Sequence, residues 1–204
     1  MPQVPILEFK QLPLRVHTFL TGVPLHDVWS VDLPRWRVGV TLNDFLQAAD
    51  KCLFSSSGLG RILLGIRLFI GRFFGWDRES ASTIQTFATR LSESDRWESL
   101  SEPGTRDGFF RVVYRFEHEQ LVELSNRTAH AAALTALVET TTGYHFYLAV
   151  YVRSGDPFTR FYMALIDPFR KMIVYPSLLR SVRARWDQTF GKSGKRNVAN
   201  CRCD

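Results

Sequence analysis

The chain has 204 residues, and its 26 Lys and Arg residues exceed its 20 Asp and Glu residues, giving a formal net charge of +6. Hydrophobic residues make up 45% of the chain and aromatic residues 13%, which is enough for a sizeable core and excludes global disorder. The arginines are scattered and no nucleic-acid-binding motif accompanies them, so we expect a solvated basic surface and no nucleic-acid partner. The cysteines, Cys52, Cys201 and Cys203, make no disulfide framework, and no secretory signal pattern is present, so we expect a cytoplasmic protein.

The first elements are predicted to be a strand and a helix that follow a proline-punctuated lead-in. Residues 1–22 form this lead-in and are expected to be extended. Residues 23–33 alternate between apolar and other side chains, which predicts a strand. Residues 41–54 are predicted to be a helix, with Thr41 as its N-cap and Asp44 in the capping-box position three residues later.

A second helix is predicted over residues 58–76, and its role has two readings. Arg61, Arg67 and Arg72 interrupt its apolar run, and charges at a bilayer centre are costly, so it is not expected to span a membrane. It either packs against a neighbouring element or lies in a membrane interface as a basic amphipathic helix. The polar residues 77–107 are predicted to be a long loop that holds a short strand or helix.

The β content is concentrated in the second half of the chain. Alternating patterns predict two hairpins, with strands over residues 109–117, 120–125, 129–140 and 144–154. A two-residue turn at Thr141-Thr142 sets a provisional register for the second hairpin. The cross-strand pairs in that register are His130 with Arg153, Ala132 with Tyr151, and Ala136 with Tyr147.

The last element is predicted to be one long amphipathic helix, Asp156 to Trp186. Asp156 supplies an N-cap oxygen, and apolar and aromatic residues recur at three- and four-residue steps along one face. Pro168 and Pro176 predict that the helix is bent. Residues 191–204 are expected to form a flexible basic tail.

The element order is strand, two helices, a run of antiparallel strands and one long helix. This order predicts an α+β helix-grip (START-like) fold over residues 23–190, in which a curved antiparallel sheet wraps around the C-terminal helix and two helices follow the first strand. An aromatic stripe on a helix that lies against a curved sheet favours an internal cavity between the two.

Three segments resemble an uncharacterised bacterial domain-of-unknown-function family of the START/polyketide-cyclase-like (SRPBCC) superfamily of helix-grip proteins. They are Phe161 to Val174, Leu63 to Arg67 with Phe74-Gly75, and Leu121 to Leu124 leading to His130. The resemblance implies the helix-grip fold and an internal cavity. Family members carry an acidic and a basic residue shortly after the strand histidine, whereas this chain continues from His130 with Ala131, Ala132, Ala133 and Leu134.

The cavity has two possible linings, depending on which side of the second hairpin faces the C-terminal helix. On one reading His130, Tyr147 and Tyr151 form a polar cluster that orients a ligand. On the other reading that side is solvated, and the purely apolar set at Phe146, Leu148 and Val150 lines the cavity. The candidate residues from both readings and from the neighbouring elements are Trp29, His130, Phe146, Leu148, Val150, Tyr162, Ile166 and Phe169.

Other sites are weakly indicated. His17, His26 and Asp27 are close in sequence, but neighbouring residues of a strand do not all point one way, so no metal site is expected. Asp27 is either a buried acid with a raised pKa or an acid that pairs with a local backbone donor or a nearby arginine, and we expect the second. No cofactor is predicted.

These patterns predict a protein that binds a small lipophilic molecule between its sheet and its C-terminal helix. Two alternatives stay open: a cyclase- or hydrolase-like enzyme on the same scaffold that uses His130 or a tyrosine as acid or base, and a module that docks to a membrane or partner through residues 59–76. Whether the protein is an enzyme, and its oligomeric state, are left open by the sequence.

Overall fold

The structure is a computed structural model of the chain, and it describes most of the sheet and part of the helical layer. The described residues are 3–53, 86–107, 110–125, 130–153, 167–168 and 170–191. The predicted helix over residues 58–76, the first part of the predicted C-terminal helix (156–166) and nearly all of the predicted tail lie outside them.

The described elements are five α-helices, two shorter helical turns and six strands. The α-helices are α1 (Ile6–Lys10), α2 (Val16–Phe19), α3 (Leu42–Leu53), α4 (Glu93–Glu98) and α5 (Tyr175–Phe190). The two turns are a 3-10 turn (Phe87–Arg90) and a π-helical turn (Arg170–Val174). The strands are β1 (Leu25–Pro34), β2 (Arg106–Asp107), β3 (Phe110–Arg115), β4 (Glu119–Ser125), β5 (His130–Glu139) and β6 (Gly143–Arg153).

The six strands form one curved antiparallel sheet in the order β1-β6-β5-β4-β3-β2. The last strand therefore pairs with the first, while the other neighbours follow chain order. The predicted register of the second hairpin is confirmed, because His130 lies opposite Arg153 and Ala136 lies opposite Tyr147. At the β1–β6 edge Gly143 fits tightly, since a Cβ atom there would lie 2.3 Å from the carbonyl oxygen of Leu33.

Each face of the sheet packs against a different part of the chain. The helical face packs against α3 and α5, and its buried residues include Trp29, Val31, Leu33, Phe146 and Leu148. The N-terminal face packs against α1, α2 and the 3-10 turn, and its buried residues include Val28, Leu121, Leu134, Tyr147 and Tyr151. The apolar side of the second hairpin thus faces the helices, but the opposite side is buried as well and is not solvated.

The N-terminal residues differ from the extended lead-in that was expected over residues 1–22. They form α1 and α2, and the side chains of Phe9 and Val16 are fully buried. The backbone N–H of Val4 also donates to the carbonyl oxygen of Val28, 3.0 Å away. Burial of these apolar side chains on the sheet supplies the stability that such short helices lack in isolation.

The start of α3 follows the predicted capping box. The backbone N–H of Asp44 donates to Thr41 Oγ1 (3.0 Å), and the backbone N–H of Thr41 donates to Asp44 Oδ2 (3.0 Å). The two bonds satisfy donors that the first helical turn leaves without an intrahelical acceptor.

The C-terminal helix is irregular between its two prolines, as predicted. The π-helical turn ends at Val174, and Pro176 lies in the first turn of α5. The helix continues one turn beyond the predicted end at Trp186, to Phe190. Trp186 is fully buried and its Nε1–H donates to the carbonyl oxygen of Pro34 (2.9 Å), so the last turns of the helix are held against β1.

The described part of the predicted loop, residues 86–107, contains both a short helix, α4, and a short strand, β2, where one or the other was predicted, and also the 3-10 turn. Within the described part of the chain, no helix combines the length and the apolar character needed to cross a membrane.

Candidate functional site

The helical face brings together four of the predicted cavity residues. Trp29, Phe146 and Leu148 belong to one buried cluster, and Val150 packs against its edge. Tyr175 of α5 contributes to the same wall, with its ring centroid 5.4 Å from that of Trp29. Tyr162, Ile166 and Phe169 lie outside the described residues, so the opposite wall that they were predicted to form is not described.

One polar atom in this apolar wall stands out. Trp29 is 7% exposed, and its Nε1–H is buried. This N–H has no hydrogen-bond acceptor among the described residues. An indole nitrogen can only donate, and a buried donor without an acceptor costs about 1–3 kcal/mol. The atom is therefore a place where a ligand oxygen would gain a hydrogen bond.

A polar cluster lies beside the wall, where β1 meets the C-terminal helix. Asp27 of β1 lies opposite Val150 and is 1% exposed. His26 Nε2 lies 2.9 Å from Asp167 Oδ1 and 3.8 Å from Asp27 Oδ2. Lys171 Nζ lies 3.3 Å from Asp167 Oδ2.

This cluster shows why the sequence argument about metal ligands was incomplete. A register shift between Leu25 and Asp27 lets adjacent residues approach one group, and Asp167 joins from a distant part of the chain. The ligand atoms of His26, Asp27 and Asp167 lie within 4.8 Å of one another, which is a spacing that a cation could bridge. Lys171 supplies a positive charge to Asp167 at the same place, so one of the three candidate ligands already has an ion-pair partner.

His130 lies on the other side of the sheet and is not part of the Trp29 wall. Its side chain is 3% exposed, and its Nε2 lies 3.0 Å from Oε2 of Glu123, which is 1% exposed. The same carboxylate oxygen accepts the backbone N–H of Phe87 (2.7 Å), and the Phe87 ring stacks on the imidazole with centroids 3.9 Å apart. The physical reason for the separation is strand alternation, because His130 shares a face with Tyr151 and Tyr147 and not with Phe146.

The His130–Glu123 pair has the geometry of an oriented acid–base group. A neutral imidazole that donates from Nε2 to the carboxylate carries a lone pair on Nδ1, and Nδ1 has no hydrogen-bond partner among the described residues. Sequence reasoning nominated His130 but missed Glu123, since a glutamate on an alternating strand gives no sign of which face is buried.

A second buried carboxyl group, which no sequence pattern predicted, lies on the N-terminal face. Oε1 of Glu119 accepts the backbone N–H of Arg15 (3.1 Å), and Oε2 has no partner among the described residues. Burial raises the pKa of Glu119 to about 7, although the backbone hydrogen bonds from Arg15 and Val16 act in the opposite direction. Burial, and then the charge of Glu119, also raise the pKa of Tyr114 and Tyr151 above the usual range.

A cleft of about 280 Å³ opens beside this group. It lies between α2, the segment from the 3-10 turn to α4, and β3. Its lining residues are Arg15, Thr18, Phe19, Arg90, Leu91, Ser92, Asp95, Tyr114 and Phe116. The cleft depends on the N-terminal helices, which the sequence analysis expected to be extended.

Residues 19–177 match the model of the family described as "Protein of unknown function (DUF2867)", and the chain therefore belongs to that family. The match runs from the end of α2 to the first turns of α5. No curated protein and no solved structure matches the chain.

Proposed function

We propose that this member of the DUF2867 family binds a small lipophilic molecule between its sheet and its C-terminal helix, and that its fold is the helix-grip fold of the START/polyketide-cyclase-like superfamily. The fold part of the proposal is supported by the pairing of the first strand with the last and by the position of α3 and α5 on one face of the sheet. An experimentally solved structure compared with helix-grip proteins tests that part.

The observation that supports ligand binding is the buried, unsatisfied Nε1–H of Trp29 in an otherwise apolar wall. Ligand sites are mostly apolar and contain a few polar groups that fix orientation. The Trp29 indole is such a group, because its ring contributes to the wall and its one polar atom lacks an acceptor among the described residues. The proposed ligand is therefore lipophilic, uncharged where it meets Trp29, and equipped with a hydrogen-bond acceptor such as a carbonyl oxygen.

Native mass spectrometry and organic extraction of the purified full chain test whether such a molecule is bound. We expect a copurifying lipophilic compound, or saturable binding of the neutral ketone dye 6-propionyl-2-dimethylaminonaphthalene by the emptied protein. Trp29→Phe keeps an aromatic ring and removes the N–H, so it should weaken dye binding about 2- to 10-fold, the factor expected for one hydrogen bond.

Trp97→Phe is the matched control, because Trp97 is 89% exposed and lies on α4, away from the helical face. Absence of any copurifying compound together with absence of saturable dye binding would overturn the proposal. Equal dye affinities of wild type and Trp29→Phe would remove Trp29 from the site.

The second candidate function is acid–base catalysis at His130, which the oriented pair with Glu123 favours. With p-nitrophenyl acetate as the probe, Nδ1 would take a proton from a water molecule as the water oxygen attacks the ester carbonyl, p-nitrophenolate would leave, and acetic acid would form while the imidazolium returns its proton to solvent. His130→Gln should abolish any such turnover and His118→Gln, at an exposed position, should not. Turnover that is absent from the wild type, or that survives in His130→Gln, excludes this function.

The third alternative, docking through residues 59–76, falls outside the described residues and stays a prediction, as does a cytoplasmic location.

A further inference from the structure

The cleft on the N-terminal face has an aromatic wall that suits a flat ring. Tyr114 and Phe116 stack with ring centroids 4.7 Å apart, and the edge of Phe19 meets Tyr114 at a centroid distance of 5.5 Å. Three rings that already pack on one another present a rigid surface, and a further aromatic ring gains both burial and favourable quadrupole contacts there. The volume of about 280 Å³ lies just below the usual range for drug-sized ligands, so the occupant has about one ring.

The inner side of the cleft carries one polar group without a partner among the described residues. Tyr114 lines the cleft, it is 1% exposed, and its hydroxyl has no hydrogen-bond partner in the described part of the chain. Glu119 is not a lining residue, but its carboxyl group acts electrostatically on Tyr114. A ligand anion at Tyr114 would therefore be repelled by that carboxyl group, whereas a hydroxyl group can both donate a hydrogen bond to the tyrosine oxygen and accept one from it.

The mouth of the cleft carries an arginine that forms no ion pair among the described residues. Arg15 forms ion pairs with Asp95 and Glu98, and its guanidinium lies 4.5 Å from the centroid of the Phe116 ring. Arg90 is exposed, lies over the Phe87 ring, and has no carboxylate partner among the described residues. Arg15 is already engaged by two carboxylates, so Arg90 is the lining arginine whose guanidinium can pair with a ligand anion.

We propose that this cleft is a second ligand site, and that it binds a small aromatic carboxylate whose ring bears a hydroxyl group opposite the carboxylate. The ring packs on the wall formed by Phe19, Tyr114 and Phe116. The hydroxyl group points inward to Tyr114, and the carboxylate pairs with Arg90 at the mouth. The site is on the opposite face of the sheet from Trp29 and is independent of the lipophilic ligand proposed above.

Calorimetric titration of the full chain with 4-hydroxybenzoate tests the proposal, with benzoate and 4-hydroxybenzamide as comparison ligands. Benzoate lacks the hydroxyl group and 4-hydroxybenzamide lacks the charge, so each should bind at least about threefold more weakly than 4-hydroxybenzoate. Because these comparisons use wild-type protein, they do not depend on the folding of any variant.

Two substitutions locate the ends of the ligand. Tyr114→Phe should weaken 4-hydroxybenzoate several-fold and leave benzoate unchanged, while Arg90→Gln should weaken both carboxylates and leave 4-hydroxybenzamide unchanged. Arg180→Gln, an exposed arginine on α5, is the control and should change none of the three affinities.

The proposal is overturned if wild type binds none of the three ligands at millimolar concentration, or if it binds benzoate as tightly as 4-hydroxybenzoate. Loss of all three affinities by the same factor in both variants would also contradict it. Trp29→Phe should bind 4-hydroxybenzoate like wild type, so failure of this site and failure of the lipophilic site are separately visible.

Discussion

The carboxyl group of Glu119 lies at the start of α2 and accepts the backbone N–H of Arg15 across 3.1 Å. Arg15 is the N-cap residue of α2, and its side chain makes no capping hydrogen bond. The strand residue Glu119 therefore supplies an acceptor at the start of this helix, which is what a capping side chain normally does. The contact ties the N-terminal segment to the centre of the sheet. It also buries a carboxyl group whose second oxygen has no partner among the described residues.

Glu119 should make the stability of the protein fall as the pH rises. Its pKa is about 7 in the folded protein and 4.5 when unperturbed, so the folded state holds the proton between these values while the unfolded state has lost it. The free energy of unfolding should therefore decrease between pH 4.5 and 7 and stay low above pH 7, by about 3 kcal/mol at most.

Glu119→Gln keeps an oxygen acceptor for Arg15 and removes the titration. Urea unfolding at pH 5 and pH 8 should show a variant that resembles wild type at pH 5 and is more stable at pH 8. Glu117→Gln, two residues earlier and exposed, is the control for a general charge effect. An unchanged difference between variant and wild type at the two pH values would refute the assignment.

The buried pair of His130 and Glu123 should be strongly coupled. Replacement of His130 by Leu removes the imidazole that Glu123 Oε2 contacts and leaves the Phe87 backbone N–H as that oxygen's partner, which should cost about 1–3 kcal/mol of unfolding free energy. The double variant Glu123→Leu/His130→Leu removes both polar groups and should recover part of that loss, because apolar replacement of a buried pair is often close to neutral.

Guanidinium-induced unfolding of Glu123→Leu, His130→Leu and the double variant measures this coupling. The recovery should be incomplete, because Glu123 also accepts the backbone N–H of Phe87 and the double variant leaves that buried N–H without its acceptor. Additive losses in the double variant would show that the two side chains do not interact.

Trp186 should be the main anchor of the C-terminal helix. Its ring is fully buried and lies 5.5 Å from the ring of Phe45 and 5.2 Å from that of Tyr144, measured between centroids. Trp186→Ala should cost about 3–5 kcal/mol through the lost burial and the cavity left behind. Trp97→Ala, at an exposed position, should change the midpoint of thermal unfolding little, and comparable effects of the two would contradict the packing.

Gly143 should tolerate no side chain. A Cβ atom there would lie 2.3 Å from the carbonyl oxygen of Leu33, which is backbone of the paired strand and has no room to move away. Gly143→Ala should therefore destabilise the β1–β6 edge, visible as faster amide hydrogen exchange in both strands. Gly104→Ala, where no atom lies within 4 Å but φ is +92°, should show only the local backbone strain of about 1 kcal/mol.

Local patterns predicted much of the fold because local physics decides it. The capping box of Thr41 and Asp44 is a short-range hydrogen-bond arrangement, and its residues are visible in the sequence. The register of His130 opposite Arg153 followed from a tight turn and a period of two. The irregular C-terminal helix followed from the two prolines, because a proline has no backbone N–H to donate and fits a helix only in its first turn, where Pro176 lies.

The sites depended on contacts between residues far apart in sequence, and these were mostly missed. His26 and Asp167 are 141 residues apart, and Arg15 and Glu119 are 104 apart. An alternating strand shows that its two sides differ, but it does not show what will cover each side. Here α1, α2 and the 3-10 turn cover the side that carries Glu119, Glu123 and His130, so polar groups that a sequence assigns to solvent are buried.

The sequence by itself determined the elements, the pairing of the second hairpin and the separation of its polar and apolar sides, because these follow from propensity and period. Only the tertiary structure decided that His130 and Trp29 lie on opposite faces of the sheet and that both faces are covered. The physical reason is that burial is a property of the packed layers. The polar atoms of a carboxyl or indole group are left without a hydrogen-bond partner only when helices from elsewhere in the chain exclude water from them.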